Sequence, residues 1–222
     1  MLIVAGALML ADAGLTVAWQ EPVSALYSQV VQGRLGDDLR KLELANPSDV
    51  DLSALRSLDD ERKRMAFLAR ALRRDAKRGT AIGRIRIGRI GVNAVVVNGT
   101  DTASLRKGPA LYDDKPFPGA PGTVAIAGHR TTYLAPFRRV DKLRPGNEIV
   151  IEMPYGRFTY RVQQTRIVDP SEVSVVRRVG YDRLVLSACH PLYSAAKRII
   201  VFARLHSAQP RGAALSGAAA TV

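Results

Sequence analysis

A chain of 222 residues is long enough for one domain of about 130 to 150 residues with an appendage. It has 33 Lys and Arg against 20 Asp and Glu, and the formal net charge of +13 suits contact with a polyanion such as nucleic acid, anionic lipid or anionic wall polymer. No zinc-ligand cluster, aromatic RNA-binding signature or helix-turn-helix pattern accompanies the basic residues, so nucleic acid is not a predicted partner. The single cysteine excludes an internal disulfide.

The first segment, residues 1–27, is predicted to be a membrane-spanning signal anchor. Residues 1–19 are almost wholly apolar and have the length that a spanning helix needs, and Trp19 and Tyr27 stand where an interfacial aromatic belt lies. Asp12 and the lack of a preceding Lys or Arg are less typical of a span. A cleaved signal peptide and a buried amphipathic helix are the two alternatives.

Residues 28–79 are predicted to form a charged helical stalk or linker. Apolar residues recur there at helical spacing in two runs, which are Leu35, Leu39 and Leu42, and then Met65, Leu68 and Leu72. Asn46-Pro47 separates the two runs, and Ser48 or Asp49 can cap the helix that follows. The basic face of the second run favours either binding to a membrane surface or a solvated face packed on the domain.

After Gly79-Thr80 the apolar residues recur with period two, which indicates β-strands. Strands are predicted within residues 82–90, 93–97, 123–127, 148–153, 158–168, 183–188 and 198–205. Seven or more short strands with few helices predict a mainly β fold, built as a closed or nearly closed barrel. Residues 207–222 are rich in Ala, Gly and Ser and are predicted to be a disordered tail.

Three reactive or charged side chains stand at predicted strand ends. Cys189 and His129 each follow an apolar strand, and Arg198 begins another. A cysteine attacks as its thiolate, which a nearby cation favours, and a histidine can protonate a leaving amine. The planar donors of Arg198 suit a substrate carbonyl or an oxyanion.

His190 and Arg130 are neighbours of these residues and are the alternatives to them. His190 directly follows Cys189, and on an extended strand adjacent side chains point to opposite faces, so His129 is the better candidate. Arg130 and Arg138-Arg139 are interpreted as solvated or structural residues.

The segments around these residues resemble those of sortases. Residues 127–130, 186–189 and 198–201 are similar to that family's histidine, cysteine and arginine segments, in the same chain order. The longer strings 128–133 and 189–198 are most similar to class E sortases of actinobacteria, and the resemblance covers roughly residues 80–205. In the common string Thr-Leu-x-Thr-Cys, this chain replaces both threonines, with Val185 and Ala188.

The resemblance implies an eight-stranded sortase barrel in residues 80–206 and a cysteine transpeptidase activity. Cys189 would attack the Thr-Gly carbonyl of a C-terminal sorting signal, Leu-Ala-x-Thr-Gly or Leu-Pro-x-Thr-Gly-like, in a secreted protein. An amine of a peptidoglycan precursor or of a pilin lysine would then take the acyl group from the thioester. His129 would act as general acid and then as general base, without a cofactor and without calcium.

The resemblance also implies a single-pass membrane protein with its catalytic domain on the extracellular side. Tyr133, Tyr193 and Ser187 are the candidate substrate-binding residues, and core packing of the two tyrosine rings is the alternative interpretation.

Two other functions compete with the transpeptidase. A hydrolytic cysteine protease would share the acylation step and differ only in its acceptor, which is water. A non-catalytic module could use the positive charge to bind an anionic wall polymer, but it would have no need of Cys189, His129 and Arg198 together.

Overall fold

The structure is a computed structural model that describes residues 22–215. Most of the predicted signal anchor, residues 1–21, and the end of the predicted tail, residues 216–222, lie outside the described residues. Between residues 22 and 215, no helix combines the length and the apolar character needed to cross a membrane.

Within the described residues, three helices precede the sheet: α1 (Pro22–Leu44), α2 (Asp49–Arg56) and α3 (Glu61–Asp75). Asn46-Pro47 separates α1 from α2, as the sequence predicts. Ser48 caps α2 because its hydroxyl oxygen accepts the backbone N–H of Asp51 at 3.2 Å, and Asp60 caps α3 in the same way through the N–H of Lys63 at 3.0 Å.

The apolar side of each long helix packs against the sheet. Leu35 and Leu39 of α1 are buried against a small cluster that includes Val95 and Val97, and Met65 and Leu68 of α3 join the main core. The predicted helical periodicity of both runs therefore reflects packing on the barrel.

Eight strands form a closed barrel, which confirms the predicted fold class. They are β1 (Ala81–Ile87), β2 (Val92–Asn98), β3 (Ala110–Leu111), β4 (Thr123–Ala127), β5 (Glu148–Met153), β6 (Gly156–Val168), β7 (Arg183–His190) and β8 (Lys197–Pro210). Their order around the barrel is β1-β2-β3-β4-β7-β8-β6-β5, and a short helix, α4 (Thr102–Lys107), connects β2 to β3.

Successive side chains of β7 point to opposite faces of the sheet and pack in two different apolar clusters. Leu184 and Leu186 belong to the main core, whereas Val185 belongs to a second layer with Ile200 and Phe202 of β8. Cys189 follows Val185 by four residues, so alternation assigns it to the face of the second layer. The predicted nucleophile therefore lies at the end of a strand that is buried on both faces.

The predicted disordered tail is wrong for residues 207–215. β8 continues to Pro210, which pairs with Gly156 of β6, and residues 212–215 form a turn of 3-10 helix. Ala214 in that turn is buried, and its carbonyl accepts a hydrogen bond from Nε of Arg64 at 2.8 Å. The composition of the tail did not predict this ordered structure, because the extension of β8 depends on hydrogen bonding to the long partner strand β6.

Candidate active site

The ends of β4 and β7 bring His129 and Cys189 to corresponding positions. β4 and β7 are parallel neighbours in which Ala127 pairs with Ser187, and the N–H of Gly128 donates to the carbonyl of Ser187 at 3.0 Å. His129 and Cys189 each lie two residues beyond that pair. The backbone therefore delivers the predicted base and the predicted nucleophile to the same edge of the barrel.

Arg198 lies directly opposite Cys189 in the antiparallel ladder of β7 and β8. Directly opposed residues project from the same face of a sheet, so thiol and guanidinium share one face. Nη1 of Arg198 donates to the carbonyls of Ala195 at 2.8 Å and Lys197 at 3.0 Å. These two bonds hold the guanidinium at the connection between the strands. Cys189 on the opposite strand is a free thiol and is partly exposed.

The loop that follows β4 is folded tightly around His129. The N–H of Phe137 donates to the carbonyl of His129 at 3.0 Å, and residues 133–135 all have positive φ although none of them is glycine. Gly128 permits the fold because a Cβ there would stand 2.6 Å from Cδ2 of the buried Phe137 ring. A side chain at position 128 would therefore displace the Phe137 ring.

His129 is half-buried, and its surroundings disfavour the charged ring. Burial is the larger cause that lowers the pKa of His129, and the positive charge of Arg106 lowers it further. The Tyr133 ring packs against the imidazole, with centroids 5.1 Å apart and planes tilted by 44°. The neutral form of His129 therefore dominates at neutral pH, and the imidazolium is the minor form.

A sequence profile of the Sortase domain matches residues 85–206, which is more than half of the chain. The chain belongs to the sortase family. Sortase D of Bacillus subtilis is 29% identical to it over 170 residues, which cover 75% of this chain and 81% of that protein. Sortases are transpeptidases, so the general enzyme class follows from the family.

Two solved sortase structures have the same barrel. Sortase E from Streptomyces avermitilis is 34% identical, with a TM-score of 0.56 over 60% of this chain and 93% of that one. The Clostridium perfringens sortase D5 transpeptidase is 24% identical, with a TM-score of 0.64 over 80% of this chain and 99% of that one, and this second likeness concerns the fold alone.

The three candidate substrate-binding residues of this sortase lie in three different parts of the chain, which are the loop after β4, strand β7 and the β7–β8 connection. Tyr133 contacts His129, and Ser187 is buried with its hydroxyl 3.4 Å from that of Tyr112, which donates to it. Tyr193 is exposed in the β7–β8 connection, where its hydroxyl oxygen accepts a hydrogen bond from Nη2 of Arg138 at 3.1 Å. Their binding of substrate stays a prediction.

His190 contacts the side chain of Arg130. Its Nδ1 lies 3.2 Å from Nη1 of Arg130, and the same Nη1 donates to the carbonyl of Cys189 at 3.3 Å. The sequence indicates Arg130 only as a solvated or structural residue, yet its side chain is buried and donates to the backbone carbonyl of Cys189. Its place directly after His129 was the only signal in the sequence.

The residues that the structure describes offer no metal centre, since no three His, Cys, Asp or Glu side chains among residues 22–215 cluster closely enough to hold an ion. The chemistry that this sortase can perform with its own side chains is nucleophilic attack by a thiolate, proton transfer through an imidazole and stabilisation of negative charge by a guanidinium.

Proposed function

We propose that this chain is a cysteine transpeptidase that cleaves a C-terminal sorting signal between Thr and Gly and joins the Thr carboxyl group to an amine. The observation that carries the proposal is the register of three strands: Cys189 opposite Arg198, and His129 at the corresponding position on the neighbouring strand end. Membership of the sortase family supports this assignment of roles.

In the first half-reaction, the thiolate of Cys189 attacks the carbonyl carbon of the threonine. The C–S bond forms, and the electron pair of the carbonyl moves to its oxygen, where Arg198 donates hydrogen bonds to the oxyanion. When the oxyanion collapses, the bond to the glycine nitrogen breaks. The imidazolium of His129 gives its proton to that nitrogen, and the glycine fragment leaves as a neutral amine.

In the second half-reaction, an incoming primary amine attacks the thioester. Neutral His129 accepts a proton from the attacking nitrogen, and Cys189 leaves as the thiolate, which restores the starting pair. The low pKa of His129 suits this second step because the neutral ring is the base. The same low pKa makes the pair of thiolate and imidazolium that starts the first step a minority species.

The substrate class follows from the class of sortase, and we assign class E with the signal Leu-Ala-x-Thr-Gly. The similarity to sortase E at 34% identity supports this assignment, while the longer match to sortase D at 29% identity makes a Leu-Pro-x-Thr-Gly-like signal the alternative. The acceptor is an amine of a peptidoglycan precursor or of a pilin lysine. Tyr133, Tyr193 and Ser187 would contact the signal.

The rest of the chain completes the proposal. Within the predicted anchor, residues 1–27, the part before α1 would cross the cell membrane as a single span, because Ser24 and Tyr27 of α1 contact the histidine loop. Residues 28–79 would link the anchor to the catalytic domain, and residues 80–206 would act outside the cell. Sorting-signal proteins, the amine acceptor and the membrane are then its partners. The net charge of +13 suits this location because lipid headgroups and wall polymers are anionic.

Product analysis with and without an added amine tests the proposed reaction. A Leu-Ala-x-Thr-Gly peptide is incubated with the protein, and the products are identified by mass spectrometry. We expect release of the glycine fragment and, with diaminopimelate added, a new amide at the threonine. Free acid as the sole product in the presence of amine would mean a hydrolytic protease. A Leu-Pro-x-Thr-Gly peptide is tested in the same way, and the proposal is overturned if neither peptide is cleaved.

A further inference from the structure

Arg130 connects the end of the histidine strand to the end of the cysteine strand. Only 4% of its surface is exposed, although arginine is seldom buried. Nη1 faces the Cys189 carbonyl at 3.3 Å and Nδ1 of His190 at 3.2 Å. Nη2 donates to the carbonyl of Arg138 at 3.2 Å and to Oδ1 of Asp141 at 3.0 Å.

We propose that Arg130 is a positioning residue with two effects on the transpeptidase site. It fixes the backbone of Cys189 relative to His129, and it holds His190 in the tautomer that carries its proton on Nε2. The proposal rests on the proposed function of Cys189 and His129. Arg130 acts through these neighbours and does not itself touch the substrate or the thiol.

The first effect follows from where the ladder of β4 and β7 ends. The last hydrogen bond between these two strand ends, from Gly128 to Ser187, lies one residue before His129 and two before Cys189. Arg130 adds a further link between the two strand ends. It directly follows His129 in the chain, and its guanidinium donates to the carbonyl of Cys189. A rigid, planar fork with fixed donors suits this task better than a flexible ammonium group.

The second effect follows from the chemistry of the two side chains. A guanidinium has donors and no acceptor, so a hydrogen bond between Nη1 and Nδ1 requires a lone pair on Nδ1. The ring of His190 is then neutral, with its proton on Nε2. A proton on Nδ1 would place two N–H groups against each other. His190 is thus kept from exchanging protons through Nδ1, and His129 remains the proton carrier of the site.

Asp141 makes the burial of this cation tolerable. Its carboxylate pairs with Nη2 of Arg130, whose side chain is 4% exposed, while the carboxylate is 38% exposed and stays in contact with water. Nη2 of Arg130 also donates a hydrogen bond to the carbonyl of Arg138. Both partners of Nη2 lie in the 138–141 segment. They orient the Arg130 guanidinium from the side opposite to Nη1, which donates to the Cys189 carbonyl.

The first test compares steady-state kinetics of Arg130→Met and Arg130→Lys with those of Arg139→Met, which changes an exposed neighbouring arginine. We expect Arg130→Met to lose roughly 10- to 100-fold in kcat, the cost of misplacing reacting groups, with a much smaller change in KM. Arg130→Lys should fall between it and the unchanged protein, and Arg139→Met should match the unchanged protein. An unchanged kcat in folded Arg130→Met would overturn the positioning role.

The second test is NMR of the unsubstituted protein with isotope-labelled histidine, which identifies the protonated nitrogen of His190 without any substrate. We expect Nε2–H in the unsubstituted protein and in Arg139→Met, and a mixture of tautomers in Arg130→Met. A proton on Nδ1 of His190 would overturn the tautomer assignment. If Arg130→Met does not fold, Arg130→Lys serves for kinetics, and an unchanged kcat there would contradict the need for the fork.

The two tests separate this proposal from the proposed function. If no sorting peptide is cleaved by the unsubstituted protein, the transpeptidase assignment fails whatever the tautomer is. If the peptide is cleaved and Arg130→Met cleaves it equally well, the positioning role fails while the transpeptidase stands.

Discussion

His129 binds its proton weakly, because burial and the charge of Arg106 both disfavour the imidazolium and lower the pKa of the ring. A group with a lowered pKa loses its proton at a lower pH than usual, so the protonated form grows only as the pH falls below the ordinary value. In the proposed reaction, the acid form of His129 for the first half-reaction is therefore scarce at neutral pH, whereas the basic form for the second half-reaction is abundant.

Arg106→Ala should raise the pKa of His129 toward its ordinary value, because a like charge is removed while the burial of the ring remains. The protonated fraction of His129 then persists to higher pH, and the limb of the pH–rate profile that reports loss of this proton should move in the same direction. NMR titration of the His129 ring measures the shift directly. Arg89→Ala, which removes an exposed charge elsewhere, is the control. A pKa that stays the same or falls in Arg106→Ala would contradict the assigned role of Arg106.

At Arg198, charge and geometry can be separated. Arg198→Lys keeps the positive charge opposite Cys189 but loses the directed donors of the fork, so acylation should slow by roughly 10²- to 10³-fold, as when an oxyanion donor is removed. Single-turnover acylation measures this rate, and Arg204→Lys on the exposed part of the same strand is the control. Near-normal acylation by Arg198→Lys would reject the oxyanion role and would favour stabilisation of the thiolate.

The sequence predicts the candidate reactive residues better than it predicts the residues that position them or change their pKa. Cys189, His129 and Arg198 could be singled out because each stands at a strand end and within a family motif. Arg130 could not be assigned, because its role depends on a contact with Cys189, 59 residues away in the chain. The influence of Arg106 on His129 likewise arises only when α4 is packed near the histidine loop.

The helix α1 belongs structurally to the barrel. The side-chain amide of Gln32 makes two hydrogen bonds to the backbone of Val95, as a neighbouring strand would. Oε1 of Gln32 accepts the N–H of Val95 at 2.7 Å, and Nε2 of Gln32 donates to the carbonyl of Val95 at 3.1 Å. At the start of α1, the hydroxyl of Ser24 accepts the N–H of Tyr133 at 3.2 Å, and the rings of Tyr27 and Tyr133 meet edge to face at 6.5 Å. The last residues of the predicted anchor, from residue 22 to residue 27, thus belong to α1, and two of them contact the histidine loop.

Tyr27→Ala should lower kcat by up to about tenfold, because an aromatic pair contributes about 0.5 to 1.5 kcal/mol and its loss frees the loop that holds Tyr133 against His129. Hydrogen exchange of residues 129–137 should become faster in the same variant. Leu26→Ala, which truncates a side chain 66% exposed on the same helix, should change neither quantity. Equal behaviour of the two variants would show that α1 does not support the loop.

The elements themselves were predictable where the pattern is strong. β4 and β5 have the predicted bounds, residues 123–127 and 148–153, because each is a continuous apolar or alternating run. β3 has only two residues and was not predicted, since it exists only as a bridge between β2 and β4. β8 is longer than predicted because it follows β6 along its whole length.

Over the whole molecule, the closed barrel makes distant segments neighbours. β4 pairs with β7, although β5 and β6 lie between them in the chain, and this parallel pairing creates the candidate site by aligning His129 with Cys189. Periodicity reveals strands but not their partners, so the sequence pattern predicts a closed or nearly closed barrel of seven or more strands, and the number of eight came from the family resemblance. The packing of the helical segment on the barrel could not be read from its charged composition.

The central claim is that Cys189 carries the acyl group, and intact-protein mass spectrometry after mixing with a Leu-Ala-x-Thr-Gly peptide tests it most directly. The account predicts an adduct of the peptide's N-terminal part through threonine, mapped to Cys189 and released by hydroxylamine. Cys189→Ala should form no adduct and should keep the melting temperature of the unchanged protein, since a thiol at a strand end is replaced by a methyl group. An adduct that persists in Cys189→Ala, or that maps to another residue, would contradict the account.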